Sequence, residues 1–259
     1  LVLEGAQISV QVPVLTISGS LFFKGLGSAM SGNGRLYVME TFYCQGGKLN
    51  IETVAVKTIL SQPVSTISMA LEVKNLTTPF CSMEGWGSMK VQRFSAGSFQ
   101  LSLPNSTDEF VFDRAYSSID SIVFTGGVNI NGAGKMRSSC AVCNEGTMSV
   151  NAKVDFETAA GSPGLINTGT ITVQPAGILT ASLRSLPGSA FSGSGTLVLR
   201  DMMYLQANQS FPASLNISMK NLSVDGPGNL TFNQDMVMSE YLNIGGTGEL
   251  IINGDLLWN

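Results

Sequence analysis

Hydrophobic and polar residues alternate along most of this chain, in short runs that end at glycines. LTISGSLFF precedes Gly32, ISMALEV precedes Gly85, IDSIVF precedes Gly132 and SLNISMKNLSV precedes Gly226. Alternation with a period of two is typical of a β-strand with one buried face. No segment keeps apolar residues at helical spacing over three turns, so the pattern predicts an all-β fold.

The alternating runs recur around one phrase, Gly-x-Gly, which is followed by an apolar residue, a spacer and usually a second apolar residue. It reads GNGRLYV, GWGSMKV, GAGKMRS, GSGTLVL, GPGNLTF and GTGELII. The predicted corner glycines are Gly32, Gly34, Gly85, Gly87, Gly132, Gly134, Gly193, Gly195, Gly226, Gly228, Gly246 and Gly248. Glycine suits a tight corner because it accepts a positive φ and leaves space that a Cβ would fill.

Two longer alignments give the period of the repeat. NEGTMSV from Asn144 and NTGTITV from Asn167 align without gaps, 23 residues apart. A second alignment, with a step of 20 residues, pairs Gly228 with Gly248, Leu230 with Leu250, Phe232 with Ile252 and Asp235 with Asp255. The 53-residue spacings from Gly32 to Gly85 and from Gly193 to Gly246 are interpreted as multiples of such a step. A fixed period near 20 is typical of a coil of parallel strands whose equivalent residues stack in register.

The alternation also assigns the inner face of the coil. The predicted inward residues are Leu36, Val38, Met89, Val91, Leu197, Leu199, Leu230, Phe232, Leu250 and Ile252. We therefore predict an all-β fold, a single right-handed parallel β-helix (β-solenoid) of about 10 to 12 rungs, where a rung is one circuit of the coil. Residues 1–259 form the single domain, with less regular rungs over 1–135 and regular rungs over 136–259.

Composition excludes several classes of function. The chain has 259 residues, only 12% of them charged, with a net charge of −4 and no histidine. Without histidine, Ser-His-Asp and Cys-His nucleophile systems and HExxH zinc sites are impossible. The absence of a basic run argues against nucleic acid and anionic membranes as partners, and no apolar stretch is long enough for membrane insertion. The chain opens Leu-Val-Leu, so we expect it to be a segment of a longer protein.

The phrases GSGTLVL, NTGTITVQPAGIL and GTGELIINGDLLW resemble those of right-handed parallel β-helix surface proteins. These are the adhesin-like and autotransporter-passenger-like solenoids of the wider pectin-lyase-like superfamily, and the resemblance is clearest from about residue 144 onward. It implies a non-catalytic extracellular solenoid, an element of a fibre, surface appendage or coat. The alternative is a polysaccharide lyase or glycosidase of that superfamily, or a carbohydrate-binding solenoid.

The four cysteines favour disulfide bonds. The short spacing between Cys140 and Cys143 predicts a local disulfide in an oxidising compartment. We expect Cys44 to pair with Cys81 if their rungs are adjacent. A four-cysteine zinc site is the alternative, but it usually has two CxxC motifs, and Cys44 and Cys81 are isolated. We therefore predict disulfides and no metal site.

Six Asn-x-Ser/Thr sequons point to the same compartment. They begin at Asn75, Asn105, Asn208, Asn216, Asn221 and Asn229. Chance gives about three in a chain of this composition, so the excess predicts an extracellular or cell-surface glycoprotein. The alternative is that the corners and outer faces of a solenoid use Asn, Ser and Thr for their own hydrogen bonding.

Candidate chemistry is sparse. The densest acidic stretch is STDEFVFDRAYSSID, with Asp108, Glu109, Asp113, Arg114 and Asp120, and we interpret it as a solvated loop or edge rather than a catalytic group.

Two further positions have a functional and a structural interpretation. Asp235 and Asp255 should stack about 5 Å apart, either as a Ca²⁺ site or, as we favour, in turns bonded to nearby backbone N–H groups. Trp86 lies on a turn, where it either stacks on a sugar or covers the coil.

The sequence thus predicts a protein that is not an enzyme and needs no cofactor. Neither end of the chain carries an amphipathic helix or a polar rung that would close the coil. The expected partners are other copies or further domains of the same protein, by end-to-end or lateral packing, and carbohydrate is a further candidate.

Overall fold

The computed structural model describes residues 1–25, 27–61, 69–85, 87–114, 121–157 and 164–258. These residues form strands, bends and turns, and no helix occurs among them. The described part of the chain accordingly contains no helix long and apolar enough to cross a membrane. The all-β prediction is confirmed.

The described residues form twenty-four strands. In the first half they are β1 Val2–Glu4, β2 Gln7–Val10, β3 Val14–Ile17, β4 Leu21–Lys24, β5 Ala29–Cys44, β6 Gly47–Ser61, β7 Met69–Glu84, β8 Gly87–Leu103, β9 Glu109–Arg114, β10 Ser121–Phe124, β11 Gly127–Ser138 and β12 Ala141–Asn144. In the second half they are β13 Thr147–Phe156, β14 Leu165–Asn167, β15 Thr170–Val173, β16 Ile178–Ser185, β17 Ala190–Gly193, β18 Thr196–Leu205, β19 Gln209–Phe211, β20 Asn216–Asp225, β21 Leu230–Phe232, β22 Met236–Ile244, β23 Leu250–Ile252 and β24 Leu256–Trp258.

The strands pair in parallel and form three faces around one coil. Sheet 1 contains residues 7–10, 29–32, 48–51, 70–73, 88–91, 111–114, 135–138, 153–156, 178–181, 196–200, 216–220, 237–239 and 256–258. Sheet 2 contains residues 14–17, 35–38, 53–56, 75–78, 93–96, 121–124, 141–144, 165–167, 183–185, 203–205, 222–225 and 242–244. The third face, called sheet 3, contains residues 2–4, 21–24, 41–44, 58–61, 80–84, 98–103, 127–132, 147–151, 170–173 and 190–193, followed by a separate three-stranded sheet of residues 209–211, 230–232 and 250–252.

Each rung contributes one strand segment to each sheet, so equivalent residues of successive rungs lie one above another. Side-chain hydrogen bonds between neighbouring rungs join residues 18 to 29 positions apart. With 12 or 13 segments on each face, the coil completes about 12 rungs, which confirms the predicted β-solenoid and its predicted size of 10 to 12 rungs. Its right-handedness stays a prediction.

The interior of the coil is filled by the inward half of each alternating strand. Leu250 and Ile252 are partly buried, and the other eight predicted inward residues are fully buried. Phenylalanines from successive rungs stack on one another there, as Phe211 does on Phe232 with ring centroids 5.5 Å apart. Contacts of this kind hold the rungs in register, because a slip of one residue would turn every inward side chain outward.

The Gly-x-Gly phrases occupy different corners of the coil, contrary to the simplest interpretation of their recurrence. The phrase at Gly32 joins sheet 1 to sheet 2, the phrase at Gly193 joins sheet 3 to sheet 1, and the phrase at Gly246 joins sheet 2 to sheet 3. The 53-residue spacings therefore connect non-equivalent positions. The two longer alignments are confirmed, since Asn144 pairs with Asn167 and the strands at 230–232 and 250–252 pair in register.

The two glycines of a phrase are required for different reasons. Gly193 has a φ of 106°, which side chains rarely adopt. Gly195 has no positive φ, but a Cβ there would lie 2.1 Å from the carbonyl oxygen of Gln174 on the rung below. The second glycine is therefore fixed by the close approach of two backbones alone, whereas the first is fixed both by its conformation and by its close approach to the carbonyl oxygen of Val173 on the rung below.

Buried amide side chains reinforce the corner between sheet 2 and sheet 3. Asn144 and Asn167 end consecutive strands of sheet 2, and both are fully buried. The Nδ2 of Asn144 donates to Oδ1 of Asn167 over 2.7 Å, and the Nδ2 of Asn167 donates to the Ser189 hydroxyl over 2.7 Å. This chain of hydrogen bonds runs along the axis of the coil inside the corner, so it joins three successive rungs.

The predicted disulfides are wrong. All four cysteines lie in the described part of the chain, and none is in a disulfide bond. Cys140 is buried inside the coil, whereas Cys143 is only partly buried on the outer face. Cys140 lies in the bend before β12 and is buried, whereas Cys143 lies on the outward side of β12, so the two side chains of the CxxC motif are on opposite sides of the coil wall.

The second pair fails for a different reason. Cys44 pairs with Ser61, and Ser61 pairs with Met83, so Cys44 and Cys81 lie two rungs apart. Two strand spacings amount to about 10 Å, beyond the roughly 7 Å that a disulfide allows between Cα atoms. Burial raises the pKa of the Cys44 thiol to about 11 and also raises the pKa of Cys81.

Candidate functional site

The outer face of sheet 1 carries a cluster of charged side chains from rungs near the middle of the coil. In β13, Val154 and Phe156 point inward, so Asp155 and the residue after the strand, Glu157, point outward. Arg137 of β11 pairs directly with Asp155 on the neighbouring rung. We call Arg137, Asp155, Glu157 and Arg200 the charged cluster.

Two short ion pairs hold the charged cluster together. The Nη2 of Arg200 lies 2.6 Å from Oδ1 of Asp155, across two rungs, and the Nη2 of Arg137 lies 2.7 Å from Oε2 of Glu157. The carboxylate of Glu109 lies 3.7 Å from Nη1 of Arg137. The Arg200–Asp155 pair is the more buried, with side chains 25% and 18% exposed, so it is the less screened by solvent.

The pKa values of the two carboxyl groups in the cluster, those of Asp155 and Glu157, are shifted in opposite directions. Burial raises the pKa of Asp155, although Arg200 beside it acts the other way. The hydrogen bond from Arg137 lowers the pKa of Glu157. A pair of nearby carboxyl groups with separated pKa values is the arrangement that acid/base chemistry on sugars requires, and it is also what a structural ion-pair network produces.

The acidic stretch singled out from the sequence disperses in the structure. Asp108 is buried and accepts hydrogen bonds from the backbone N and the side chain of Asn105, so it shapes the loop. Glu109 joins the edge of the charged cluster, and Asp113 is half-buried on the outer face of sheet 1. The side chain of Arg114 and the whole of Asp120 lie outside the described residues.

Asp235 and Asp255 do stack, as predicted. The backbone N–H of Asp255 donates to Oδ1 of Asp235 over 2.8 Å, so this carboxylate bonds a backbone N–H of the neighbouring rung rather than one of its own turn. No group of three or more metal-ligating side chains occurs among the described residues. Trp86, the other position with two interpretations, lies outside them.

A shallow groove crosses the outer face of sheet 3. One hollow, of about 150 Å³, is lined by Tyr43, Gln45, Leu60, Ser82, Met83, Glu84 and Ser102. A second, of about 210 Å³, is lined by Ser82, Met83, Gln100, Leu101, Ser102, Asn129 and Asn131. Because they share Ser82, Met83 and Ser102, the two hollows form one continuous groove, which we call the sheet 3 groove.

A larger hollow, of about 650 Å³, opens at the corner between sheet 1 and sheet 2 in the first rungs. Its wall includes Asn33, Asn50 and the two glycines Gly32 and Gly34. A Cβ at either glycine would strike a backbone carbonyl oxygen of the preceding rung. Packing between rungs accounts for these glycines, and the hollow brings no charged side chain together among its described lining residues.

The predicted glycosylation sites differ in their surroundings. Asn105, Asn208 and Asn216 are exposed, whereas Asn75, Asn221 and Asn229 are half-buried. The Oδ1 of Asn229 accepts the backbone N–H of Glu249 over 3.0 Å, so this side chain also links two rungs.

The charged cluster and the sheet 3 groove were both missed at the level of sequence. The signal for the cluster is the run KVDFE, in which Asp155 and Glu157 alternate with buried residues, together with Arg137 one rung earlier. The cluster can be predicted from this signal only when the length of each rung is known. Because the rungs differ in length, sequence spacing alone does not show which residues lie next to each other. The groove has no local signal at all.

Comparisons with protein-family models, curated proteins and solved structures give no match to this chain.

Proposed function

We propose that this chain is a non-catalytic structural or adhesive β-solenoid that works outside the cell, as an element of a fibre, surface appendage or coat. One observation carries the proposal: uncharged polar side chains stand in register along the outer face of sheet 3. They are Ser82, Gln100, Asn129, Ser149, Thr172 and Ser192, on six successive rungs. Such a face meets a neighbouring surface with little charge repulsion and many hydrogen-bonding groups.

The proposed partners are other copies or further domains of the same protein, and carbohydrate. Lateral packing would use the uncharged stretch of this face that runs from Ser149 through Thr172 to Ser192. End-to-end packing is supported by exposed apolar side chains in the first rung, Val12 and Val14, and in the last, Tyr241 and Leu257. Exposed apolar groups and open strand edges favour contact with another surface.

The proposal is tested by combining assembly and activity measurements. Sedimentation velocity and electron microscopy of the purified chain should show elongated oligomers or filaments. The same material should release no product from polymers of uronic acids. A monodisperse monomer that degrades such a polymer would refute the proposal.

A second candidate function, a polysaccharide lyase or glycosidase, is favoured by the charged cluster. Asp155 and Glu157 lie two residues apart on one outer face, with Arg137 and Arg200 beside them. If this function is correct, the wild-type chain releases sugar products, and Asp155→Asn or Glu157→Gln abolishes the release. The matched control is Asp235→Asn, which changes an exposed carboxylate far along the coil and should leave the activity intact.

A further inference from the structure

We propose that the sheet 3 groove binds an extended, neutral polysaccharide that lies along the axis of the coil. This inference rests on the adhesive function proposed above, and it names the class of ligand and the face that holds it. The occupant follows from four properties of the groove: its repeat, its hydrogen-bonding groups, its aromatic end and its charge.

The groove has the geometry of a site for a polymer rather than for a small molecule. From Tyr43 to Asn129, one column of the sheet passes through Leu60, Ser82 and Gln100, one residue from each rung. Four strand spacings amount to about 19 Å, and over the last two of them the polar side chains of Ser82, Gln100 and Asn129 recur at about 4.8 Å. A ligand that repeats at a similar interval meets an equivalent set of groups at each step.

Hydroxyl and amide groups line the floor of the groove. Ser82, Gln100 and Asn129 all project outward from sheet 3, and Gln and Asn each offer both donors and acceptors. Further along the same column the side chains bond to one another, as Thr172 does to Ser192 over 2.9 Å. Within the groove, none of these three side chains bonds to another described side chain, so their hydrogen-bonding capacity faces solvent and is available to sugar hydroxyls.

One end of the groove is a fixed aromatic surface. Tyr43 lines the groove, and its ring stacks on Phe22 of the preceding rung, with centroids 4.5 Å apart and planes 7° from parallel. Leu60 lies beside Tyr43 on the next rung. A ring held in place by stacking loses little further freedom on binding, and Tyr43 offers both apolar ring carbons and a phenolic hydroxyl to a sugar.

The charge of the groove selects a neutral polymer over an acidic one. Among the described residues that line it, Glu84 carries the sole charge, and it is negative. A polymer of uronic acids would meet one like charge and no cation there. The arginines of the charged cluster are on sheet 1, a different face of the coil.

The test uses defined hexasaccharides as probes, measured by isothermal titration calorimetry on the whole chain. The neutral probes are β-1,4-glucan, β-1,3-glucan, β-1,4-mannan and β-1,4-xylan, and the acidic probe is oligogalacturonate. At least one neutral probe should bind, and Asn129→Ala/Asn131→Ala should weaken it about tenfold, since each lost hydrogen bond contributes roughly 0.7 kcal/mol. The matched control is Asn50→Ala/Asn243→Ala, which removes two exposed asparagine side chains from the other two sheets and should leave the affinity unchanged.

Tyr43→Leu is the second variant, and its melting temperature is measured alongside its affinity because Tyr43 also packs on Phe22. It should lose affinity while remaining folded. The inference is overturned if no neutral probe binds, if the Asn129/Asn131 variant binds as the wild type does, or if oligogalacturonate binds more tightly than every neutral probe. Release of sugar products by the wild type would instead refute the non-catalytic function, so the two failures are distinguishable.

Discussion

Asn144 and Asn167 are hydrogen-bonded to each other inside the coil, with the Nδ2 of one 2.7 Å from the Oδ1 of the other, and no part of either residue is exposed to solvent. They were aligned from sequence as equivalent positions of the repeat, and the structure makes them direct partners. The amide side chain is the group that allows this, because it offers a donor and an acceptor that point along the axis to the rungs on either side.

The central member of this chain of hydrogen bonds should be the most sensitive to substitution. Asn167→Ala removes the acceptor of Asn144 and the donors to Ser189 and to the carbonyl oxygen of Gly169. The buried Nδ2 of Asn144 would then keep only two longer hydrogen bonds, of 3.4 Å, to backbone carbonyl oxygens, and the loss should lower the free energy of unfolding by about 2–3 kcal/mol. Chemical denaturation measures the loss, with Asn243→Ala as the exposed control, which should change stability by no more than about 0.5 kcal/mol.

Substitution of the second glycine of a Gly-x-Gly phrase should also destabilise the fold. At Gly248, as at Gly195, a Cβ would lie 2.1 Å from a backbone carbonyl oxygen of the preceding rung. Gly195→Val or Gly248→Val must therefore push two rungs apart and should cost more than about 1 kcal/mol of unfolding free energy.

The matched control for the glycine variants is Gly127→Val. The nearest atom to a Cβ at Gly127 is the Thr147 hydroxyl oxygen at 4.0 Å, and the glycine is exposed in a strand of sheet 3. Valine favours strands, so this variant should melt like the wild type. If the Gly195 variant had the same melting temperature as the Gly127 variant, close packing between rungs would not be the reason for the glycines.

The class of fold was predictable from sequence because it depends on local alternation and on a period. Alternation assigned Leu36, Met89 and Phe232 to the interior correctly, since strand geometry turns successive side chains to opposite faces. The step of 20 residues was also correct where the corners do not vary, and it placed Asp255 over Asp235.

The corners and the outer faces were not predictable to the same degree. Gly-x-Gly occurs at all three corners, so its recurrence does not reveal which sheet comes next. The Arg200–Asp155 ion pair spans two rungs, and it forms only because the intervening rungs have particular lengths. No local sequence pattern gives those lengths. The disulfide prediction was wrong for the same reason. It required knowing whether Cys140 and Cys143 point into or out of the coil, and the sequence does not show this.

The sequons should differ in occupancy when the chain is secreted from a eukaryotic host. Asn208 and Asn216 are exposed, so a glycan on either would project into solvent. Asn221 is half-buried and has a φ of 50°, and it should be the least occupied. Peptide mass spectrometry before and after enzymatic deglycosylation gives the occupancy of each site. Unmodified peptides at both Asn208 and Asn216 would remove this support for an extracellular location.

The four thiols should remain reduced and should react in a fixed order. Cys143 is partly exposed, whereas Cys44 and Cys81 are buried and have raised pKa values. In the native protein, alkylation should modify Cys143 first, and slowly, because its own pKa is also raised by burial and by the nearby Glu145. After denaturation without reductant, mass spectrometry should find four alkylated cysteines, and a smaller number would restore the disulfide prediction.

The Arg137–Glu157 ion pair should stabilise the coil only above the pKa of its carboxyl group. Both side chains are about two-fifths exposed, so a double-mutant cycle with Arg137→Met and Glu157→Gln should give a coupling of about 0.2–1 kcal/mol at neutral pH. Folding lowers the pKa of Glu157 below its ordinary 4.5, so this contribution is present above that value and is lost as the pH falls through the folded-state pKa.

The contribution of Asp155 to stability should depend on pH in the opposite way, so one experiment can distinguish the effects of the two carboxyl groups. Burial raises its pKa above the ordinary 3.8, so folding favours the protonated form, and its contribution to stability falls as the pH rises through the folded-state pKa. Denaturation of wild type, Asp155→Asn and Glu157→Gln from neutral pH down to about pH 3 should show the two variants diverging from the wild type with opposite slopes. Parallel curves for all three proteins would mean that neither carboxyl group is perturbed by folding, and that the charged cluster is held by nothing stronger than solvent-screened contacts.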